Sequence, residues 1–301
     1  MARKFIFFIN PVSGTRSKLH LEKKIVGKCD KQGFDYEIMF TSKEGDYGFL
    51  YEKIIDENVT DIAIAGGDGS IRPIIAASLN LPVRIGIIPA GSGNGLARTA
   101  GIPSNIDKAI DLILNGDAFE TDAFLINDQL SAHVCGLGFD AKVAHDFSVS
   151  KNRGLNSYTK IAVKNFRRAK TFPFEVEVDG KRFETEAFLI AIANSNQFGN
   201  NFKLAPKASI CDGLLDVVIV KKTNKATAVL SFVKQILQGK LQNFHSSENQ
   251  KENILYFQTS RLSIQNLANA PFHIDGDPAA TAKEFLIEIL PAAFKLIRFS
   301  K

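Results

Sequence analysis

Three glycine-rich stretches carry the residue types that a phosphate-binding site needs: Asn10-Pro11-Val12-Ser13-Gly14, Gly66-Gly67-Asp68-Gly69-Ser70 and Gly91-Ser92-Gly93-Asn94-Gly95. A phosphate is held by backbone N–H groups converging at close range. A side chain would block that approach, and glycine supplies both the room and the left-handed backbone. A helix N-terminus behind such a turn adds partial positive charge. Asn10, Ser13, Ser70 and Ser92 add polar side chains. The chain has neither GxxxxGK[ST] nor GxGxxG, so a P-loop is absent and a dinucleotide dehydrogenase loses its main signal. Asp68 places a negative charge inside an anion-binding turn. That makes Asp68 a candidate metal contact or general base. Two further acidic groupings, Asp212-Gly213-Leu214-Leu215-Asp216 and Asp275-Gly276-Asp277, each read as an Asp–Gly turn or as oxygen ligands for Mg²⁺.

The elements that must position these residues change character along the chain. Strand patterns at 4–9, 34–40, 61–65 and 84–88 alternate with helical patterns at 17–31, 46–58 and 70–80. A further helix, capped by Ser104 or Asn105, runs to 115. Ser70 is expected to cap the helix behind the second glycine turn. All three turns fall at strand ends, where open α/β sheets gather ligands. The strands are continuously apolar, which predicts a parallel, doubly wound sheet. From about residue 120 strands dominate: 119–126, 130–135, 174–178, 183–193, 214–220, 254–257, 261–264 and 285–290, with Asp179-Gly180 marking a hairpin. Helical patterns interrupt only near 156–168 and 225–237. The expectation is an α/β domain over 1–122 and a β-rich sandwich domain over 123–301, whose last strand is allowed to return to the first domain.

Composition bounds the function. The chain has 301 residues, 45% hydrophobic and 23% charged, which fits a soluble globular protein of about two domains. Its net charge of +5 favours anionic partners without choosing among phosphates, membranes and nucleic acid. Cys29, Cys135 and Cys211 form no CxxC, which fits a reducing compartment. The five histidines show no metal-ligand spacing, and no apolar run approaches the roughly 18 residues of a membrane span. A cytoplasmic protein is expected. The charges between Lys151 and Lys170 are all basic, which reads as a face for anionic headgroups or as a solvated helix face.

Taken in order, the motifs resemble the diacylglycerol kinase catalytic-domain family, which includes bacterial lipid kinases, sphingosine kinases and ceramide kinases. The residues carrying the resemblance are the three glycine turns, with Leu96, Ala97 and Arg98 extending the third, Thr41, Gly136-Leu137-Gly138-Phe139-Asp140, the stretch 200–216, and Asp275-Gly276-Asp277. The resemblance implies an N-terminal α/β domain like those of phosphofructokinase and NAD kinase, then a β-sandwich domain. It implies ATP-dependent phosphorylation of a lipid hydroxyl, diacylglycerol or a sphingoid-type acceptor. By the resemblance Asn10, Ser13, Gly14, Thr41, Gly66, Gly67, Asp68, Gly69, Ser70, Ser92, Gly93 and Asn94 bind ATP. Asp212 holds Mg²⁺ with the backbone carbonyls of Ser209 and Leu214. Asp277 takes the place of the family's usual Glu as proton acceptor, with Asp68 as the other candidate. The missing methylene shortens Asp277 by about 1.5 Å. Gly95 stands where diacylglycerol kinases carry Asp, which tilts the acceptor toward a long-chain amino alcohol.

The expected lipid site is an apolar slot in a cleft between the domains, with Phe139, Phe147, Phe198 and Phe202 as candidate linings; ordinary core is their plainer reading. The substrate implies peripheral contact with a membrane, and a homodimer is left open. No nucleic-acid partner is expected, because basic and aromatic residues do not interleave. Two alternatives remain: an NAD kinase-like enzyme with a soluble acceptor, and a non-catalytic nucleotide- or lipid-binding regulator.

Overall fold

The computed structural model describes residues 3–12, 18–42, 45–150, 157, 160–162, 164–165, 168–197, 205, 207–222 and 253–299. The chain divides into two units, residues 1–122 with 292–301, and residues 123–291. The first contains β1 (Lys4–Ile9), α1 (Lys18–Gln32), β2 (Asp35–Phe40), α2 (Leu50–Asp56), β3 (Asp61–Gly66), α3 (Asp68–Ser78), β4 (Arg84–Pro89), α4 (Gly95–Thr99) and α5 (Ile106–Asn115). β5 (Asp117–Ile126) runs into the second unit. There follow β6 (Gln129–Ser131), β7 (Val134–Gly138), α6 (Phe139–Ser148), β8 (Phe172–Val178), β9 (Lys181–Ala193), β10 (Leu215–Lys221), β11 (Ile254–Thr259), β12 (Arg261–Asn266), β13 (Phe272–Ile274) and β14 (Asp277–Ala279). β15 (Glu284–Arg298) ends in the first unit.

The first unit is a parallel sheet. β1 pairs in parallel with β2 and β3, β3 with β4, and the end of β15 with β4 through Lys295 and Leu296. β1 and β3 are buried almost throughout, so both faces are covered and neither strand alternates. α5 is the clearest amphipathic helix, and Asn105 caps it, its side-chain oxygen accepting the Lys108 N–H at 3.1 Å. At the start of β3 the fully buried Asp61 carboxylate accepts from Arg3 at 2.7 and 3.0 Å, Arg84 at 2.8 Å and Thr60 Oγ1 at 2.7 Å. This brace lies at the opposite strand ends from the glycine turns.

The second unit is antiparallel. The first half of β9 pairs with β8, and its second half pairs with β7 on one side and β10 on the other. Side chains of β7, β9 and β10 alternate between two apolar clusters. Cys135, Ile190 and Val217 enter one, and Val134, Ala191 and Val218 the other. The expected Asp179-Gly180 hairpin is present, both residues with positive φ and Val178 paired to Lys181.

Several expected boundaries move. The strand expected over 130–135 breaks into β6 and β7, because the Asp275 carboxylate takes the N–H groups of Ala132, His133 and Val134. The helix expected over 46–58 contracts to α2; Asp46 instead accepts the Gly48 N–H at 3.0 Å. α3 begins at Asp68 with Gly67 at its cap position, so Ser70 lies inside the first turn and does not cap it. α6 was not anticipated. The helix expected over 225–237 lies outside the described residues, as does most of the basic stretch; of the helix expected over 156–168, residues 157, 160–162 and 164–165 are helical.

Removing one partner of a buried ion pair leaves the others uncompensated. Asp61→Asn is therefore expected to lower unfolding stability by about 3 kcal/mol in urea titration.

Candidate active site

The three glycine turns follow β1, β3 and β4, neighbouring parallel strands, so their backbones meet on one rim. The Asn10 N–H donates to Ala65 O at 2.9 Å and the Ala90 N–H to Gly66 O at 3.0 Å. Side chains then tie turn to turn. Asn10 Nδ2 donates to Ser70 Oγ at 2.7 Å, while Asn10 Oδ1 accepts the Val12 N–H at 2.9 Å. Gly67 and Gly91 touch backbone to backbone: a Cβ on Gly91 would lie 2.5 Å from Gly67 Cα, and one on Gly66 would lie 2.7 Å from Ser70 Cβ. Asn94, left-handed at φ 51°, closes its own turn by accepting the Gly91 N–H at 2.8 Å and donating to Gly91 O at 2.9 Å. Arg98 Nε donates to Gly93 O at 3.0 Å.

Asp68 has a definite structural task. Its carboxylate accepts the N–H groups of Gly95 at 2.9 Å and Leu96 at 3.2 Å, the first two donors of α4. These are donors that a helix leaves unpaired at its start. The bonds spend the N-terminus of α4 on Asp68 and hold the second and third turns together. The N-terminus of α3 is different: no side chain caps it. Gly69 and Ser70 sit in its first turn, Ser92 is exposed, and Thr41 follows β2 with its N–H on Ile9 O at 3.1 Å. Tyr47, buried edge-on against Phe8, hydrogen-bonds Thr41; burial raises its hydroxyl pKa. Ser13 and Gly14 lie outside the described residues, as do Phe198 and Phe202. Phe139 packs partly against a core cluster, and Phe147 is half-buried.

In the second unit the two aspartates of Asp275-Gly276-Asp277 part company. Asp275 is buried and accepts from Ser131 Oγ at 2.6 Å and from the N–H groups of Ala132, His133 and Val134 at 3.0 to 3.3 Å. Asp277 is exposed at the start of β14. Of the pair, Asp277 is the one exposed to solvent.

Asp212 is exposed, with Oδ1 accepting the Leu214 N–H at 3.2 Å around the left-handed Gly213. With the Ser209 and Leu214 carbonyls it offers only hard oxygen donors, which suits Mg²⁺ in donor type. Among the described residues no group of three or more His, Cys, Asp and Glu side chains gathers into a metal site. Nearby Asp216 is fully buried, bonded by the Tyr256 hydroxyl and by Gln258 Nε2 at 3.3 Å. Burial pushes its carboxyl up to about 6, against the lowering effect of those donors.

Sequence reasoning missed the buried pair Asp140 and His273. His273 Nε2 lies 3.3 Å from Asp140 Oδ2. Asp140 had only its place after Gly136-Leu137-Gly138 to mark it, and His273 had no local signal, since its partner is 133 residues away.

Comparison with known proteins agrees with this geometry. Residues 4–126 match the diacylglycerol kinase catalytic domain, and residues 133–298 the YegS C-terminal NAD kinase beta sandwich-like domain. The chain is 28% identical over 274 residues to a diacylglycerol kinase of Bacillus subtilis, covering 89% of this chain and 88% of that protein. It is 29% identical over 273 residues to lipid kinase YegS of Escherichia coli K12, covering 88% and 87%. A crystal structure of a diacylglycerol kinase from Bacillus anthracis shares the fold, with a TM-score of 0.74 at 23% identity over 99% of this chain and 97% of that one. Two contiguous matches of this kind, on a parallel sheet with a glycine-built rim and an antiparallel partner unit, place the chain in the diacylglycerol kinase family of lipid kinases.

Proposed function

We propose that this kinase transfers the γ-phosphoryl group of ATP to a lipid hydroxyl. The observation that carries the reading is the rim. Three turns are locked to one another by Asn10–Ser70, Gly67–Gly91 and Asp68–Gly95/Leu96, and the α3 N-terminus behind them carries no capping side chain. A preformed rim of this kind orients a triphosphate, and phosphoryl transfer is mostly orientation and charge stabilisation. Asn10, Gly66, Gly67, Gly69, Ser70, Ser92, Gly93 and Thr41 are the contacts this reading assigns to ATP. Asp68 and Asn94 build the rim. Asp68 remains the alternative base, with two of its acceptor sites already occupied.

In the reaction the acceptor oxygen attacks the γ-phosphorus. The bond from phosphorus to the β,γ-bridging oxygen breaks, and ADP leaves with that electron pair. The hydroxyl proton passes to the Asp277 carboxylate, directly or through one water. Asp212 with the carbonyls of Ser209 and Leu214 would hold Mg²⁺, which supplies positive charge when bound. The acceptor is read as a membrane lipid, diacylglycerol or a sphingoid base, met by a cytoplasmic protein in peripheral contact. Among the described residues no helix is long and apolar enough to cross a membrane.

Incubation with ATP, Mg²⁺ and mixed micelles of dioleoylglycerol, sphingosine or ceramide is expected to yield a phosphorylated lipid. Phosphorylation of NAD instead would move the enzyme to a soluble acceptor, and tight ATP binding without transfer would make it a regulator. Gly91→Ala forces a Cβ into Gly67 and is expected to weaken ATP binding at least about tenfold by calorimetry, some 1.4 kcal/mol. Asp277→Asn is expected to lower kcat by about 10² or more with ATP affinity intact. If Asp277→Asn keeps its rate and Asp68→Asn loses it without unfolding, the base is Asp68.

A further inference from the structure

Asp277 follows a two-residue hairpin turn. Ile274 pairs with Asp277, and the two residues between, Asp275 and Gly276, both have positive φ, at 52° and 86°. This is the left-handed two-residue geometry that tightens antiparallel strands. Asp275 is fixed by its four buried bonds. Gly276 has no side chain to restrain it, and glycine is the residue with the widest backbone freedom. Its N–H donates to His273 Nδ1 at 3.2 Å.

That bond bears on the tautomer of the ring. A nitrogen that accepts carries no proton, so the proton of the neutral imidazole is on Nε2. Nε2 faces Asp140 Oδ2 at 3.3 Å, and both side chains are almost wholly buried, 1% and 4% exposed. Asp140 is fixed in turn at the second position of α6, its Oδ1 on the Ala141 N–H at 2.9 Å. The backbone makes room for the pair. His273 pairs with Gly136 across β13 and β7; a Cβ on Gly136 would overlap Asp140 Oδ2 and lie 2.9 Å from His273 Nε2. A continuous chain therefore runs from α6 through Asp140 and the imidazole to the Gly276 amide, one residue before Asp277.

We infer that His273 is a positioning residue for phosphoryl transfer, acting through its Nδ1 lone pair to fix the Gly276 amide and so the aim of Asp277. Asp140 acts behind it, holding the proton on Nε2 so that Nδ1 stays an acceptor. The inference rests on Asp277 being the proton acceptor. A misplacement of about 1 Å costs on the order of 10²-fold in rate, so a single backbone bond beside the base can govern turnover.

Two substitutions separate the two ring nitrogens. Asn places an acceptor near the Nδ1 position and gives up the reach to Asp140; Gln reaches toward Asp140 and gives up the Nδ1 acceptor. With dioleoylglycerol or sphingosine micelles as acceptor, His273→Asn is expected to keep kcat within about threefold. His273→Gln is expected to lose about tenfold or more. KM for ATP should stay unchanged in both, and thermal midpoints should fall similarly. Nitrogen-15 NMR of the wild-type chain should show the Nε2–H tautomer of His273. The Gly276 amide should exchange slowly in the wild type and in His273→Asn, and faster in His273→Gln. An Nδ1–H tautomer, or kcat losses that follow the thermal midpoints alone, would overturn the inference. Asp277→Asn losing activity while both His273 variants keep it would also overturn it, leaving the base intact. Asp277→Asn at full rate would instead remove the base reading and this inference with it.

Discussion

Backbone N–H groups without a helix or strand partner are the constraint around which both units are arranged. The start of α4 leaves the donors of Gly95 and Leu96 unmatched, and the break between β6 and β7 leaves those of Ala132, His133 and Val134. An aspartate from a distant turn answers each, Asp68 in the first unit and Asp275 in the second. A buried unpaired donor costs roughly 1–3 kcal/mol, so these carboxylates hold loops that would otherwise be unstable where they are. In each unit the held loop adjoins candidate residues: in the first it is the third glycine turn, in the second the anchor of the turn before Asp277. Scaffold and candidate site residues are thereby linked through hydrogen-bonding side chains.

The glycines serve two ends with one property. Lacking a Cβ, Gly91 approaches Gly67 within a distance that a side chain at Gly91 would not allow, which brings the turns after β3 and β4 together. The same absence leaves the backbone of the rim uncovered, as the proposed triphosphate would require. Asp68, in the first turn of α3, bonds to α4, and the α3 N-terminus keeps no capping side chain.

Local signals in the sequence carried the first unit well. Continuously apolar strands flanked by helical periodicity gave β1, β3 and β4, and Asn105 marked the start of α5. The second unit was less legible. Residues 187–193 of β9 and 217–220 of β10 are unbroken apolar runs although the strands are antiparallel, because each face meets its own cluster; such a run reports burial, not strand direction. The break after Ser131 is set by a carboxylate about 140 residues downstream, and the Asp140–His273 contact spans 133. Periodicity compares residues a few positions apart and is blind to both. The candidate site divides the same way. Its glycine turns are visible as spelling, whereas the split of Asp275-Gly276-Asp277 into an interior anchor and an exposed carboxylate appears only once the chain is folded.

That split bears on the substitution of Asp for the family's usual Glu. A shorter side chain can regain its reach if the backbone moves forward, but residues 273–276 leave no slack. Ile274 is buried in the pairing of β13 with β7, Asp275 is held by four bonds, and Gly276 by the imidazole. Moving Asp277 outward by about 1.5 Å would break buried hydrogen bonds, each a cost of about 1 kcal/mol or more. With Asp277 read as the base, an acceptor hydroxyl seated closer, or one bridging water, would meet the gap at lower cost. On the reading of Asp277 as the base, the short side chain is therefore a feature that the acceptor's binding mode must match, and the rigid turn is the reason.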